Sequence, residues 1–348
     1  MSESSFTMRL CLVTLALAGA TFLAAPETQA ITYGEPDCDD IATNTNCSHP
    51  NTVTLVGFGP RPRRLVSNVR GSGTLLAANA DRFVILTAAH VNSFFLSRFE
   101  TGQITTIGVS FDAKNVIDLP WIGPLSSSPD QFLLGGQPVI NSEYGPQARA
   151  WNVRDDYGVI VFDIPEAQRF TAGGEFVDLS GIAPVNLPEL DYMADKVGPH
   201  DGVPLTFVGY GLGKLLYGPG EGGNGGNQPE LTGFEKVGER WMTETSAHHF
   251  MNGLDLLYTS QNPATGDAGG CYGDSGGPLF HIDQEGVEFQ VAIASSGDPN
   301  CRANGFSTRT DTANAIDFIA CVQAGAEIED ILACGCTEVN EEGVCPAE

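Results

Sequence analysis

A serine lies among five glycines in the stretch Gly269-Gly270-Cys271-Tyr272-Gly273-Asp274-Ser275-Gly276-Gly277-Pro278-Leu279. Glycines at 273, 276 and 277 let the backbone turn tightly and bring amide N–H groups close to a ligand. Such a loop suits a nucleophilic hydroxyl, because neighbouring amides can receive the oxyanion of a tetrahedral intermediate. A glycine-rich surface turn is the plainer reading in a chain with 42 glycines. Acyl transfer by serine also needs a base and a group that orients the base. The candidate bases are six histidines, His49, His90, His200, His248, His249 and His281. His90 stands out because it follows the apolar run Phe83-Val84-Ile85-Leu86 through Thr87-Ala88-Ala89, where a buried strand can hold a ring at a cleft rim. Asp156 precedes the apolar run Val159–Phe162 in a similar way. Taken singly, each reads equally well as a structural strand-end or turn residue. The chemistry rests on the three together.

Chain order discriminates between two arrangements of such residues. Gly273-Asp274-Ser275-Gly276-Gly277 also fits G-x-S-x-G, the nucleophile elbow of α/β-hydrolases, in which acid and histidine follow the serine. Here only His281 lies downstream, inside the same predicted hairpin, and no alternation of strands and helices surrounds it. The order His90, Asp156, Ser275 is the one in which base and acid precede the nucleophile.

The elements that must position these residues read mostly as short strands. Asn51–Phe58, Arg64–Asn68, Phe83–Leu86, Ile104–Phe111, Val159–Phe162 and Leu205–Gly211 are predicted strands, and Leu279–Ile282 with Val287–Ala294 forms a predicted hairpin. Residues 112–150 break into Pro, Ser and Gly and read as a long surface excursion, and Gly218–Gly233 reads as a glycine-dense loop. Asp311 is positioned to cap one late helix whose apolar face uses Ala315, Ile319 and Val322. The pattern argues an all-β fold: two six-stranded antiparallel β-barrels packed around a cleft, with a C-terminal α-helix. The expected boundaries are a signal at 1–30, a first barrel at about 31–165, a connector at 166–203, a second barrel at 204–310, the helix at 311–324 and an acidic cysteine-containing tail at 325–348.

Composition narrows the partners. The 348 residues carry 43 acidic and 17 basic side chains, and a net charge of −26 disfavours nucleic acid and anionic membranes. Met8-Arg9-Leu10, the apolar run to Ala25 and the small residues Thr28 and Ala30 have the layout of a secretory signal cut before Ile31. That cut removes Cys11 and leaves eight cysteines: Cys38, Cys47, Cys271, Cys301, Cys321, Cys334, Cys336 and Cys345. An even set in an exported chain implies disulfides. Cys38 and Cys47 are near enough to pair locally. Among the last four, Cys334 and Cys336 are too close to suit each other, and the pairing stays open. Asp37, Asp39 and Asp40 could hold calcium weakly, but their spacing is not that of a known loop.

Leu86-Thr87-Ala88-Ala89-His90 and Gly273-Asp274-Ser275-Gly276-Gly277-Pro278 resemble the two specific motifs of the trypsin-like (chymotrypsin-family) serine proteases. Asp156-Tyr157-Gly158-Val159-Ile160-Val161 resembles the family's acid-then-strand segment, and Val208-Gly209-Tyr210-Gly211 and Ser295-Ser296-Gly297 its weaker landmarks. The resemblance implies a secreted serine endopeptidase acting on proteins or peptides, with Ser275 as nucleophile, His90 as base and Asp156 as its orienting acid. It also implies an oxyanion hole from the amides of Gly273 and Ser275, a supporting role for Ser295, substrate-backbone pairing at Ser296-Gly297, and a Cys271–Cys301 bridge. Gly269, Gly297 and Gly305 match pocket positions and imply a wide, uncharged pocket preferring an apolar or aromatic residue before the cut. Asp274 would pair with the freed amine of Ile31. Val91 stands where the family commonly has a cysteine, so that bridge is missing. The mechanism requires no cofactor or metal, and the expected state is a monomer, with a protein inhibitor as a candidate partner. A non-catalytic homologue acting as a binding module and an esterase using the same triad are the rival readings.

Overall fold

The computed structural model describes residues 34–60, 65–115, 129–145, 153–198, 202–212, 214–218, 230–235, 238–251, 255–340 and 345. The signal segment and Ile31 lie outside them. Among the described residues eighteen strands run in chain order: β1 Glu35–Pro36, β2 Cys38–Asp40, β3 Thr45–Cys47, β4 Thr52–Phe58, β5 Leu65–Ala78, β6 Phe83–Thr87, β7 Thr106–Ser110, β8 Leu133–Leu134, β9 Gln137–Ile140, β10 Gly158–Phe162, β11 Val203–Gly209, β12 Lys214–Gly218, β13 Glu230–Glu235, β14 Trp241–Met251, β15 Leu256–Ser260, β16 Pro278–Ile282, β17 Glu288–Gly297 and β18 Asn304–Arg309. The helices are α1 Ala89–Glu100, α2 Ala313–Ala324 and α3 Ile328–Leu332.

Two antiparallel sheets carry the fold. The second has the order β1-β14-β11-β16-β17-β18-β15, and β15 pairs again with β14, which closes a six-stranded barrel with β1 added at the edge. The first has the order β8-β7-β4-β5-β6-β10-β9 and curls into a half-barrel. Where a closed six-stranded barrel is expected, the sheet has seven strands with β8 and β9 at its two edges, and these are consecutive in the chain and joined through Gly135-Gly136. Gly135 turns there at φ 111°, and the amides of both glycines donate to the Ile107 carbonyl. Both edge strands fall inside the predicted surface excursion. Leu133, Val139 and Ile140 are buried, and Pro138 sits on an edge strand, where its missing N–H is tolerated.

β6 and β10 are buried at every residue and pair from Gly158↔Thr87 to Phe162↔Phe83. This places His90 and Asp156, each just beyond one of these strands, at the same end of the sheet. Of the segment predicted as Arg64–Asn68, residues 65–68 belong to one long strand, β5, paired with β4 and β6, and Arg64 lies outside the described residues. The late helix is α2, but Thr312 caps it by accepting from the Ala315 N–H. Asp311 instead pairs with Arg309 and accepts from the Met193 N–H. Ala315, Phe318, Ile319 and Val322 of α2 and Ile331 of α3 join the core of the first sheet.

All four disulfides form: Cys38–Cys47, Cys271–Cys301, Cys321–Cys334 and Cys336–Cys345. The last two settle the open pairing of the tail. Cys336 also exchanges backbone hydrogen bonds with Ile140, so the tail is stitched to β9 as well as to α2. No helix among the described residues is long and apolar enough to cross a membrane.

Candidate active site

His90 is not a strand-end residue. It occupies the first turn of α1, which begins directly after β6 and buries Val91, Phe95 and Leu96. The spacing Val91, Phe95, Phe99 is helical, and this signal was present in the sequence. Ala88 at the helix start offers no side-chain cap. The carboxylate of Asp156 takes that place, because its Oδ1 accepts from the His90 backbone N–H at 2.8 Å. Its Oδ2 lies 2.8 Å from Nδ1 of the same residue. Asp156 is fully buried, and the Ser295 hydroxyl donates to Oδ2. Asn92 pins the same helical turn from the other side, donating to the carbonyls of Val139 (3.0 Å) and Val159 (2.9 Å).

These contacts set the charges. Burial alone would lower the pKa of His90, but the adjacent Asp156 charge and hydrogen bond outweigh it and hold the ring above its usual value. Burial pushes Asp156 up, yet His90 and the Ser295 hydroxyl together bring it below the usual carboxylate range. The pair therefore favours an imidazolium beside a carboxylate, the charge state that follows proton uptake by a base.

The serine loop is seated on the first sheet. The Ser72 N–H donates to the Ser275 carbonyl at 2.8 Å, and the Ser72 hydroxyl donates to the Gly273 carbonyl at 3.1 Å. The same hydroxyl accepts from the Tyr210 N–H at 3.2 Å. Gly276 has φ 84°, and a Cβ there would collide with Thr87 Oγ1 and the Ser72 carbonyl and lie 3.0 Å from the Ala88 nitrogen. The residue after the serine thus touches the turn that carries His90. A Cβ on Gly71 would lie 2.8 Å from Val91 Cγ1 and 3.0 Å from the Ser275 carbonyl. The valine that replaces the expected cysteine therefore packs onto a glycine, in contact with the serine loop. Ser72 and Asn92 went unassigned in the sequence because their roles depend on partners more than forty residues away.

Asp274 turns inward. Its oxygens accept from the N–H groups of Gly211 (2.6 Å) and Cys271 (2.8 Å), and side chains on Gly209 or Gly211 would collide with it. Burial pushes its pKa up to about 7, against the opposing pull of those amides and of Arg70. The Arg70 guanidinium lies against Gly273, whose Cβ would be 2.8 Å from Nε, and burial lowers that guanidinium to about 10.

Beside Ser275 opens a cavity of about 260 Å³ lined by Gly269, Ser295, Ser296, Gly297 and Gly305, the five residues read as substrate-binding. The ladder between β16 and β17 starts at Pro278↔Ile293, while Ser296 and Gly297 pair with Phe306 and Gly305 of β18. Gly269 is not an open floor. Gln261, at the end of β15, lies across it and also lines the cavity. The calcium reading of Asp37 does not hold, since Asp37 is buried between Arg240 (2.8 Å) and His49 (2.5 Å). The intended amine partner of Asp274 lies outside the described residues.

No curated protein matches the chain. Residues 242–319 match the Trypsin family, a span running from β14 through the serine loop into α2. The β-rich fold, with its closed barrel, curled half-barrel and C-terminal helix, matches the trypsin fold, and together with the family match over residues 242–319 it supports a trypsin-like serine protease.

Proposed function

We propose that the chain is a secreted serine endopeptidase that cleaves proteins or peptides through an acyl-enzyme intermediate. The observation that carries this reading is the double hold of Asp156 on His90, next to a serine loop that rests on the His90 turn. In this reading Ser275 attacks the scissile carbonyl, and His90 takes its proton and later gives it to the leaving amine. Asp156 fixes the tautomer and stabilises the imidazolium, with the Ser295 hydroxyl supporting the carboxylate. The amides of Gly273 and Ser275 receive the oxyanion, and the substrate backbone adds to Ser296-Gly297 as a strand.

The glycines at 269, 297 and 305 leave the cavity uncharged at those positions, which supports an apolar or aromatic residue before the cut. Asp274, buried and pushed up to about 7, is the acid to which a freed Ile31 amine would bring a counter-charge. Export after a cut behind Ala30 agrees with four disulfides.

Labelling of Ser275 by a fluorophosphonate probe tests the reading. Labelling is expected in the native chain and lost in Ser275→Ala. No labelling would leave the chain a binding module. Labelling with turnover of simple esters but of no peptide or folded protein would make it an esterase.

A further inference from the structure

Gln261 lines the cavity beside Ser275 and is 4% exposed. Its backbone N–H donates to the Ala303 carbonyl at 2.9 Å, which ties the end of β15 to the loop before β18. Its side-chain Nε2 donates to the Gly270 carbonyl at 3.2 Å. A carbonyl can only accept, so this bond fixes which end of the amide is nitrogen. Among the described residues Oε1 has no hydrogen-bond partner. The amide lies against all three pocket glycines: Nε2 would be 2.6 Å from a Cβ on Gly269 and 3.0 Å from one on Gly305, and Oε1 4.0 Å from one on Gly297. A buried acceptor without a donor carries an unrecovered desolvation cost, and a ligand that supplies the donor recovers it.

The rest of the lining decides which donor fits. Phe207, Leu279, Phe306 and the Cys271–Cys301 bridge give the cavity apolar walls, and among the described residues its lining contains no Lys, Arg or His to receive an acid. Its two carboxylates are already engaged. Asp274 accepts from Gly211 and Cys271, and Asp298 accepts from the N–H groups of Asn300, Arg302, Ala303 and Asn304. A neutral amide oxygen alone does not offset the desolvation of an ammonium or guanidinium.

Resting on the endopeptidase reading above, we infer that Gln261 is a specificity-determining residue that selects tyrosine before the cut, its phenol donating to Oε1 while the ring fills the apolar cavity. Phenylalanine fills the same space and leaves the acceptor unpaired.

The test uses the full mature chain and peptide substrates differing only at this residue: tyrosine, 4-aminophenylalanine, phenylalanine, 4-fluorophenylalanine, lysine and glutamate. The two donor-bearing rings are expected to exceed the two donor-free rings in kcat/KM by about 10–100-fold. In Gln261→Met, which keeps the length and removes the acceptor, the gap should close to within about twofold. Should that variant not fold, the comparison of rings in the native chain decides alone. Equal or better cleavage after phenylalanine, a preference for lysine, or a gap that persists in Gln261→Met would overturn the inference while leaving the endopeptidase reading intact. A chain that takes up fluorophosphonate and cleaves none of these peptides also overturns the inference. One that does neither fails the endopeptidase reading, and the inference falls with it.

Discussion

Asp156 grips His90 at two points, with one carboxylate oxygen on its backbone N–H and the other 2.8 Å from its ring Nδ1. The acid therefore orients the ring and at the same time anchors the start of the helix that carries it. In Asp156→Asn the amide oxygen can keep the backbone bond while the NH₂ group faces Nδ1 and enforces the wrong tautomer. A loss of about 10⁴-fold in kcat is expected, with little change in KM. The pH profile adds a second reading. In the proposed mechanism the base must be neutral, so activity is expected to fall as pH drops through the His90 pKa, which Asp156 holds above the usual value. Removing that charge should move the acid limb of kcat/KM to lower pH. An unmoved limb would assign the titration to another group.

The parts legible in the sequence were those carried by local pattern. Phe83–Leu86 and Val159–Phe162 announce themselves as unbroken apolar runs, and the pairing of the strands they form brings His90 and Asp156 to one end of a sheet. The serine loop was legible because glycines at 273 and 276 are required by φ values of 97° and 84°. What stayed hidden depends on long-range pairing. Strands β8 and β9 are short, interrupted by two glycines and a proline, and gain their identity only from partners on β7 and β10. Gln261 drew no reading from the sequence, because its place against Gly269 and Gly305 depends on the tertiary fold, including the β15–β18 pairing. Helix α1 is the exception, since its period was visible and was masked by the apolar strand before it.

Ser72 joins the two halves of the site through one hydroxyl, which donates to the Gly273 carbonyl and accepts from the Tyr210 N–H. Ser72→Ala orphans a buried amide and frees the peptide beside the proposed oxyanion hole, at a stability cost of about 1–3 kcal/mol. If Ser72 positions that loop, kcat should fall by roughly tenfold, below the 10²–10³ of a lost oxyanion donor, with KM nearly unchanged. A purely structural serine would lower the melting temperature and leave kcat per folded molecule untouched.

Asp274 is a buried acid whose two backbone donors do not suffice, since its pKa is still pushed up to about 7. A cationic amine brought to it would lower that value and lock the adjoining Gly273 peptide. Protein starting at Ile31 is therefore expected to be active. A chain with one extra residue before Ile31 should lose most of its activity, because a buried charge left without its partner costs about 3–5 kcal/mol. N-terminal sequencing alongside the activity assay checks this. Full activity of the extended chain would assign the neutralisation of Asp274 to Arg70 instead.

His49 offers a stability test independent of catalysis. It is buried against Asp37 at 2.5 Å and Glu288 at 3.3 Å, and its ring stacks on Phe280. Burial alone would lower its pKa, but the two carboxylates outweigh it and raise the value from 6.5 to about 9. The folded protein thus binds a proton more tightly than the unfolded chain does. The stabilisation is fully present below pH 6.5 and is lost as pH rises through about 9, a swing on the order of 3 kcal/mol. His49→Gln should flatten the fall in melting temperature between pH 6 and pH 10. Because Asp37 keeps its ion pair with Arg240 at 2.8 Å, the variant is expected to fold with its N-terminal hairpin in place. An equally steep pH dependence in His49→Gln would locate the titrating group elsewhere.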